Sequence, residues 1–348
     1  MSLGFHSKLL FSLVGSSHSP KITLMGCLSF LVFVSGVATQ IHTKSHESDL
    51  GTTADTVTES DRVEIAQNVW MPKLTLNAYP NSTSWLQVGG RSMDSALDYG
   101  DARQEEMGAA VHYATANFNI SREEIFVITK VPCCPKQPFG KAGWPFLPAP
   151  NCTHARNTSM DVNYDLHTIG VKKIDLLLLH FSCDRFEDTL TSWRALEQAQ
   201  IEGKARSIGV SNFNQSDIEK LVKVAKIKPA VNQAGFAIGS PLNKTLGRDW
   251  GTINTCKALN ITYQAYAPFG ERRATAPTSK IDVLTDARVK RIAKRNNVST
   301  ALVGLRWILQ HGLAVVTSSS RKDYQVEDLT VFTDLKLTPE EMEVLDQI

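Results

Sequence analysis

Short apolar segments, many of them rich in β-branched residues, alternate with helix-like segments along most of the chain, and this alternation limits the possible folds more than any other feature. Such runs are typical of buried strands. Three intervening segments show helical periodicity, at 217–226, 288–297 and 303–312. The sequence predicts eight strands, at 71–76, 92–96, 125–131, 174–180, 207–212, 230–235, 262–268 and 314–320.

Alternating strands and helices predict parallel strand pairing with helical crossovers. Eight such units fit an α/β fold in which a closed (β/α)8 TIM barrel forms a single domain, here predicted at 63–348. The alternative is an open doubly wound sheet. That fold usually has a glycine-rich turn after its first strand, and the segment 71–80 contains no glycine, which favours the barrel.

The N-terminus has a different composition from the predicted barrel. An uncharged apolar run at 22–38 follows Lys21, and Gly36 and Ala38 are small residues of the kind that precede signal-peptide cleavage sites. We predict a signal peptide at 1–38 and a flexible polar stalk at 39–62. An uncleaved signal anchor is the alternative, because the run is only slightly shorter than a membrane span. Either form takes the barrel into the secretory pathway lumen, as a secreted or membrane-anchored protein.

Acceptor sites for N-glycosylation support entry into the secretory pathway. The chain has eight Asn-x-Ser/Thr sequons, which include half of its asparagines: Asn81, Asn119, Asn151, Asn157, Asn214, Asn243, Asn260 and Asn297. We therefore predict a glycoprotein, although coincidence is the alternative.

A proline- and glycine-rich insertion at about 132–156 contains Cys133, Cys134 and Cys152. In an oxidising compartment, one of the first two can form a disulfide with Cys152. Free thiols are the alternative. No spacing of cysteine and histidine suggests a zinc site, so we predict no bound metal.

The charge distribution argues against a polyanionic partner. The 348 residues carry a formal net charge of +2, and no basic run alternates with aromatic residues. Nucleic acid binding is therefore not expected. We predict a monomer that contacts a membrane only if the N-terminal segment remains as an anchor.

Polar residues end several of the predicted strands, and in a barrel these carboxyl ends form the face that carries active sites. Asp94, Lys130 and His180 end three consecutive strands. A lysine in an apolar strand needs a partner, and Asp94 is the nearest candidate. The loop after Asp94 can bring Tyr99 over Lys130, where the ammonium would lower the pKa of the phenol. His180 can then bind a carbonyl oxygen by a hydrogen bond.

This cluster suits reduction of a carbonyl group, in which Tyr99 protonates the oxygen while hydride reaches the carbon. No side chain donates hydride, so a cofactor is required. Polar groups at the ends of later strands suit a nicotinamide carboxamide, and Tyr266 can stack on its ring; the polar residues are Ser211, Asn212 and Gln233.

Each of these residues also has a structural interpretation. Asp94 and Lys130 can form a purely structural ion pair, and His180 can bond to the backbone. Tyr266 can serve barrel packing, and Ser211 can shape a turn. Their convergence on one rim favours the functional interpretation.

Several segments resemble the aldo-keto reductases: DSALDY at 94–99, ITK, LLLLH, GKARSIGVSNF, PAVNQ and AYAPFG. The resemblance runs from Met71 to the end of the chain. It implies a barrel that binds NADPH without a Rossmann fold. It assigns catalysis to Asp94, Tyr99, Lys130 and His180, carboxamide binding to Ser211, Asn212 and Gln233, and ring stacking to Tyr266. It also implies that Tyr79 and His180 contact a small-molecule carbonyl substrate.

The sequence departs from the family after the eighth strand. The family commonly has Ile-Pro-Lys-Ser there, and its lysine and a later arginine hold the adenosine 2'-phosphate. Ser319 and Gln325 stand at those positions here. The remaining candidates for cofactor contacts are Ser320, Arg321 and Lys322, so NADH is possible beside NADPH.

These observations predict an NAD(P)H-dependent oxidoreductase that reduces aldehydes or ketones to alcohols. Short loops around the predicted rim suggest an open pocket with loose substrate selection. The alternative is an aldo-keto reductase-like protein that binds nucleotide or a partner without catalysis.

Overall fold

The structure is a computed structural model, and it describes residues 61–78, 81–133, 157–240, 244–270 and 278–348. The predicted signal segment, nearly all of the predicted stalk, Tyr79 and most of the cysteine-bearing insertion lie outside these residues. The N-terminal boundary predictions therefore stay predictions.

Ten strands form within the described residues: β1 Arg62–Ala66, β2 Val69–Pro72, β3 Leu74–Asn77, β4 Ser92–Asp94, β5 Phe126–Val131, β6 Ile174–Leu179, β7 Ala205–Ser211, β8 Val231–Gly235, β9 Thr262–Tyr266 and β10 Ala314–Thr317. The α-helices of the same residues are α1 Ser82–Gln87, α2 Asp101–Asn117, α3 Thr158–Ile169, α4 Phe186–Ile201, α5 Gln215–Val224, α6 Trp250–Ala258, α7 Ala287–Asn296, α8 Thr300–Gln310, α9 Lys322–Leu329 and α10 Pro339–Asp346. None of these helices is long and apolar enough to cross a membrane.

Strands β3 to β10 close into a parallel barrel in sequence order, with β10 beside β3. This confirms the predicted (β/α)8 fold. The strands are nearly continuous apolar runs because helices cover their outer face; all six residues of β6 are buried, for example. The predicted strands at 125–131 and 174–180 agree with β5 and β6 to within one residue at either end.

An antiparallel hairpin of β1 and β2 precedes the barrel and was not predicted. The predicted strand at 71–76 spans the end of β2 and most of β3. Asn68 turns the hairpin with φ 60°, a left-handed conformation that asparagine tolerates. Ile65, Val69 and Met71 pack against residues inside the barrel, including Phe126 and Ala314 at the starts of their strands. The hairpin therefore covers the amino end of the barrel and leaves the carboxyl end for a site.

Candidate active site

Asp94 and Lys130 form a buried ion pair at the carboxyl end of the barrel. Strands β4 and β5 pair in register at Asp94 and Ile128, which places Lys130 two residues beyond this pair and on the same side of its strand as Ile128. Lys130 Nζ donates to Asp94 Oδ2 at 2.6 Å and to the Ser95 carbonyl at 2.8 Å. Both side chains are at most 2% exposed. The predicted pairing is present in the structure.

Gln233 reaches the same carboxylate from β8. Its Nε2 donates to Asp94 Oδ1 at 2.9 Å and to Gln264 Oε1 at 2.8 Å. Both oxygens of Asp94 therefore have donors, which holds the carboxylate in one orientation. Gln233, predicted to bind a carboxamide, also belongs to the network that fixes Lys130.

Tyr99 lies over Lys130, as the sequence predicts. It ends a short 3-10 helix, Leu97–Tyr99, that follows β4. Lys130 Nζ lies 5.1 Å from the centroid of the Tyr99 ring. The ring of His180, the residue after β6, lies 5.7 Å away in an edge-on arrangement. The four predicted catalytic side chains are therefore brought together.

The predicted direction of the Tyr99 pKa is wrong. Burial raises the pKa of Tyr99 well above its ordinary value, and the nearby carboxylates of Asp94 and Asp98 raise it further. The prediction counted the Lys130 ammonium but not the Asp94 carboxylate that compensates its charge. The surroundings of Tyr99 therefore favour the neutral phenol over the phenolate.

Asp98, which sequence reasoning missed, binds His180. Asp98 Oδ1 lies 2.8 Å from His180 Nδ1, and both side chains are at most 7% exposed. A carboxylate only accepts hydrogen bonds, so the hydrogen lies on Nδ1. The structural interpretation, in which the His180 ring bonds to backbone, does not hold. The available signal was a second acid in DSALDY, directly before the tyrosine.

The ends of β7 and β9 form the second part of the site. Asn212 follows β7 with φ 60°, and its Nδ2 donates to the His180 carbonyl at 3.1 Å. Tyr266 donates from its hydroxyl to Asn212 Oδ1 at 2.7 Å. Ser211 Oγ donates to the Gln233 carbonyl at 2.8 Å. The predicted carboxamide-binding residues therefore lie together, beside the predicted catalytic residues.

This group of side chains fits a nicotinamide. Hydroxyl and amide groups can both donate to and accept from a carboxamide, and the partly exposed Tyr266 offers an aromatic face. The donor set in the structure is therefore compatible with the predicted cofactor.

Arg248 is a further component that sequence reasoning missed. The residue is fully buried, and its Nη2 donates to the Tyr266 hydroxyl at 2.5 Å. Gly235, the partner of Tyr266 in the β8 and β9 pairing, permits this approach, because a Cβ there would lie 3.0 Å from Arg248 Nε. Arg248 and Asn212 together fix the orientation of the Tyr266 hydroxyl.

The segment after β10 is mostly exposed, and its charged side chains bind neighbouring side chains. Arg321 pairs with Asp323, and its guanidinium carbon lies 4.2 Å from the centroid of the Tyr324 ring. Lys322 Nζ donates to Gln87 Oε1 at 3.2 Å. The side chain of Gln325 is buried and donates to the Ser319 carbonyl at 3.0 Å, so it faces inward. The Ser320 carbonyl accepts from the Asn81 side chain.

A disulfide joins Cys133, after β5, to Cys183, after β6, with the Cα atoms 5.7 Å apart. Of the two predicted candidates for pairing with Cys152, Cys133 is therefore excluded, because Cys183 lies nearby in the fold although it is distant in sequence. Cys134 and Cys152 lie outside the described residues, and their pairing stays a prediction. The bond ties the loops that follow the strands of Lys130 and His180.

The family model for the Aldo/keto reductase family matches residues 81–348 of the chain. The chain belongs to this family. An aldo-keto reductase of Bombyx mori is 30% identical over 312 residues, which cover 86% of this chain and 87% of that protein. A glyoxal reductase of Bacillus subtilis is 30% identical over 265 residues, 76% of this chain and 80% of that protein.

A solved aldo-keto reductase has the same fold. The crystal structure of a Bombyx mori aldo-keto reductase in complex with NADP is 26% identical, with a TM-score of 0.67 over 82% of this chain and 92% of that one. The barrel and the family predicted from the sequence are confirmed. The protein described here is therefore an oxidoreductase.

Proposed function

We propose that this aldo-keto reductase reduces aldehydes or ketones to alcohols with NADPH or NADH, and that Tyr99 donates the proton. The observation that carries the proposal is the position of Tyr99, with the buried Lys130–Asp94 pair beneath its ring and His180 beside it. A reduced nicotinamide, when bound, supplies the hydride.

The side chains have distinct tasks in this proposal. Tyr99 gives its proton to the carbonyl oxygen as negative charge develops there. Lys130 stabilises the charge that remains on the phenolic oxygen, and Asp94 keeps Lys130 in place. Burial raises the pKa of Tyr99 and so favours the neutral phenol, which is the form that donates the proton. His180 orients the substrate oxygen.

Ser211, Asn212, Gln233 and Tyr266 would hold the nicotinamide end of the cofactor. The relative solved with NADP supports a nicotinamide cofactor. At the other end, Ser320, Arg321 and Lys322 are the candidates for contacts, and Arg321 would have to leave Asp323 to bind a phosphate. We therefore expect NADPH and NADH to be used with little preference.

The compartment is proposed to be the lumen of the secretory pathway or the outside of the cell, with a membrane-anchored form as the alternative. The Cys133–Cys183 disulfide supports an oxidising compartment. Asn119, Asn260 and Asn297 are exposed sequon residues at turns with positive φ, where a glycan can extend into solvent. These three are the proposed glycosylation sites.

The substrate is proposed to be a small carbonyl compound, with an aromatic contact from Tyr79. The glyoxal reductase among the relatives acts, by its name, on a small carbonyl compound, which agrees with this class. The protein is proposed to act as a monomer.

The test is oxidation of NADPH and NADH by the full chain, produced in a eukaryotic secretory host and followed at 340 nm with 4-nitrobenzaldehyde. Tyr99→Phe should lose on the order of 100-fold or more of kcat, because the proton donor is removed. Tyr113→Phe, at a tyrosine 50% exposed on α2, is the matched control and should retain full activity. Folded wild-type protein that binds cofactor without turnover would instead support the non-catalytic binding role.

A further inference from the structure

A cavity of about 250 Å³ lies at the amino end of the barrel, between the hairpin and the segments around the starts of β7, β8 and β9. The proposed reductase site lies at the opposite end of the strands, so the reaction does not use this cavity. The apolar part of its wall is formed by Ile65, Ala66, Ile208, Ile227 and Ala230. Such a wall favours a ligand that has an apolar face.

One residue of the cavity wall is an acceptor for N-glycosylation. Asn260 lines the cavity and begins the sequon at 260–262. Its side chain is exposed, and within the described part of the chain its carboxamide has no hydrogen-bond partner. By contrast, the sequon residues Asn157 and Asn214 accept hydrogen bonds from the backbone at the starts of α3 and α5. Asn260 is therefore free to carry a glycan whose first sugar begins at the cavity.

Two polar side chains of the cavity wall suit the hydroxyl and acetamido groups of a sugar. Lys228 Nζ donates to the carbonyls of Leu259 at 2.5 Å and Asn260 at 3.1 Å, which holds the turn that carries the sequon. An ammonium group has three donors, so one remains for a sugar oxygen. The Ser207 hydroxyl, which has no hydrogen-bond partner among the residues described, can both donate and accept.

The size of the cavity fits one sugar ring. Its volume of about 250 Å³ lies below the range of about 300–1,000 Å³ that is usual for pockets of drug-sized ligands. N-acetylglucosamine has an apolar C–H face and an acetamido methyl group, together with hydroxyl and amide groups, which match the mixed wall. A sugar attached to Asn260 is tethered beside the cavity. Its effective concentration there is high, so weak contacts are sufficient.

We propose that this cavity binds the first N-acetylglucosamine of a glycan on Asn260, and that the sugar stabilises the hairpin against the barrel. The inference rests on the proposed secretory compartment. The glycan comes from an oligosaccharide linked to a lipid pyrophosphate. The bond between the anomeric carbon and the pyrophosphate breaks, a bond from that carbon to Asn260 Nδ2 forms, Nδ2 loses one proton, and the lipid pyrophosphate leaves.

The stability test uses the full chain from a eukaryotic secretory host that makes high-mannose glycans. Endoglycosidase H trims each glycan to its first N-acetylglucosamine, and the trimmed protein should unfold at the same temperature as the untrimmed one. Asn260→Gln removes the acceptor and should lower the unfolding temperature by about 2–4 °C more than the control variant does. Trimming that lowers the unfolding temperature as much as this variant would assign the effect to the outer sugars and overturn the proposal.

Asn119→Gln is the matched control. Asn119 is also an exposed sequon residue, and its φ of 55° is close to the 53° of Asn260, so glutamine is strained to the same extent at both positions. Ala66→Leu tests the cavity itself, because it places a larger side chain in the wall. In this background, Asn260→Gln should cost no more than Asn119→Gln. Equal effects of the two glutamine variants in the protein with Ala66 would contradict the inference.

A direct contact between sugar and cavity can be measured by NMR. In trimmed protein with carbon-13 in the isoleucine methyl groups, the acetamido methyl group should show a nuclear Overhauser effect to Ile227. The Ile227 signal is identified by its loss in Ile227→Val, and the contact should disappear in Asn260→Gln. Absence of this contact in wild-type protein that carries the sugar would overturn the proposal.

Mass spectrometry of the tryptic peptide 258–272 separates the two ways in which the inference can fail. The peptide should carry a glycan at Asn260. A glycan at Asn119 but none at Asn260 would overturn the inference and leave the proposed compartment in place. Protein without a glycan at any sequon would remove both. Turnover of 4-nitrobenzaldehyde tests the proposed reaction independently, because the cavity lies at the other end of the barrel.

Discussion

Two parts of the barrel rim differ in how far their charged side chains are exposed to solvent. The β4–β6 rim, formed by Asp94, Asp98, Lys130 and His180, buries four ionisable side chains and joins them in two pairs with distances of 2.6 and 2.8 Å. The β10–α9 segment, residues 319–328, keeps its cations at the surface, where Arg321 is 60% exposed. Burial in the first part makes each charge depend on its partner, whereas the exposed Arg321 and Asp323 of the second are both paired and solvated, so their pairing matters less.

The β10–α9 segment also contains a buried carboxyl group, that of Asp328, whose hydrogen-bond partner is not a cation. Asp328 accepts from the Thr317 hydroxyl at 2.9 Å rather than from a cation. Burial raises the pKa of Asp328 to about 7. The β4–β6 rim therefore contains buried charges that depend on one another, whereas Arg321 and Lys322 of the β10–α9 segment are bound to neighbouring side chains near the surface. Substitutions in the two parts should therefore differ in the size of their effects.

Lys130→Met should be the most disruptive change, because it leaves the Asp94 carboxylate buried without its cation. We expect a loss of about 3–5 kcal/mol in the free energy of unfolding, measured with urea, together with loss of turnover. The double variant Asp94→Asn/Lys130→Met should recover most of the stability but none of the activity. If the double variant is as unstable as the single one, the pair is not coupled as the structure indicates.

The Cys133–Cys183 disulfide, which joins the loops after β5 and β6, should contribute somewhat less to stability. Replacing Cys133 and Cys183 by alanine opens a loop with a sequence separation of 50 residues. The chain entropy of a loop of this length predicts a loss of about 3–4 kcal/mol in the free energy of unfolding. The unfolding temperature of the wild-type protein should fall when reductant is added, and that of the double variant should not change. A reductant effect that persists in the double variant would assign the stabilisation to other cysteines.

Asp328 should make stability decrease as pH rises. Because its folded pKa of about 7 lies above the ordinary value of 3.8, its contribution is fully present below pH 4 and is lost as pH rises through 7. Asp328→Asn should remove this dependence and, at pH 8.5, stabilise the protein by roughly 2 kcal/mol, while at pH 4 the two proteins should be similar. Unfolding in urea at both pH values checks this, and equal differences at the two would refute the assignment.

Loss of the surface cations of the β10–α9 segment should have the smallest effect. Arg321→Ala/Lys322→Ala should change the KM for NADPH by less than about threefold, because exposed and locally engaged charges contribute little. Lys172→Ala/Lys173→Ala removes equal charge from the other end of the barrel as a control. A rise of tenfold or more for NADPH but not for NADH would show that Arg321 and Lys322 do hold a phosphate.

The fold and much of the site were readable in the sequence. Strand and helix alternation is a local pattern, and parallel strands with helical crossovers leave few arrangements, so the barrel followed. The barrel in turn places strand ends on one face, which is why Asp94, Lys130 and His180 were predicted as neighbours. The hairpin was not predicted because β2 ends at Pro72 and only Lys73 separates it from β3. The end of β2 and most of β3 were therefore interpreted as one apolar strand.

The barrel, the family and the residue types at the rim follow from the amino-acid sequence, because they depend on periodicity and on motifs within short segments. Three side-chain pairs became visible only in the folded protein: Asp98 with His180, Arg248 with Tyr266, and Cys133 with Cys183. It also reversed the direction of the Tyr99 pKa. Side-chain pairing depends on distances of a few ångströms between residues far apart in the chain. A pKa sums burial and several neighbouring charges, which only the assembled fold brings together.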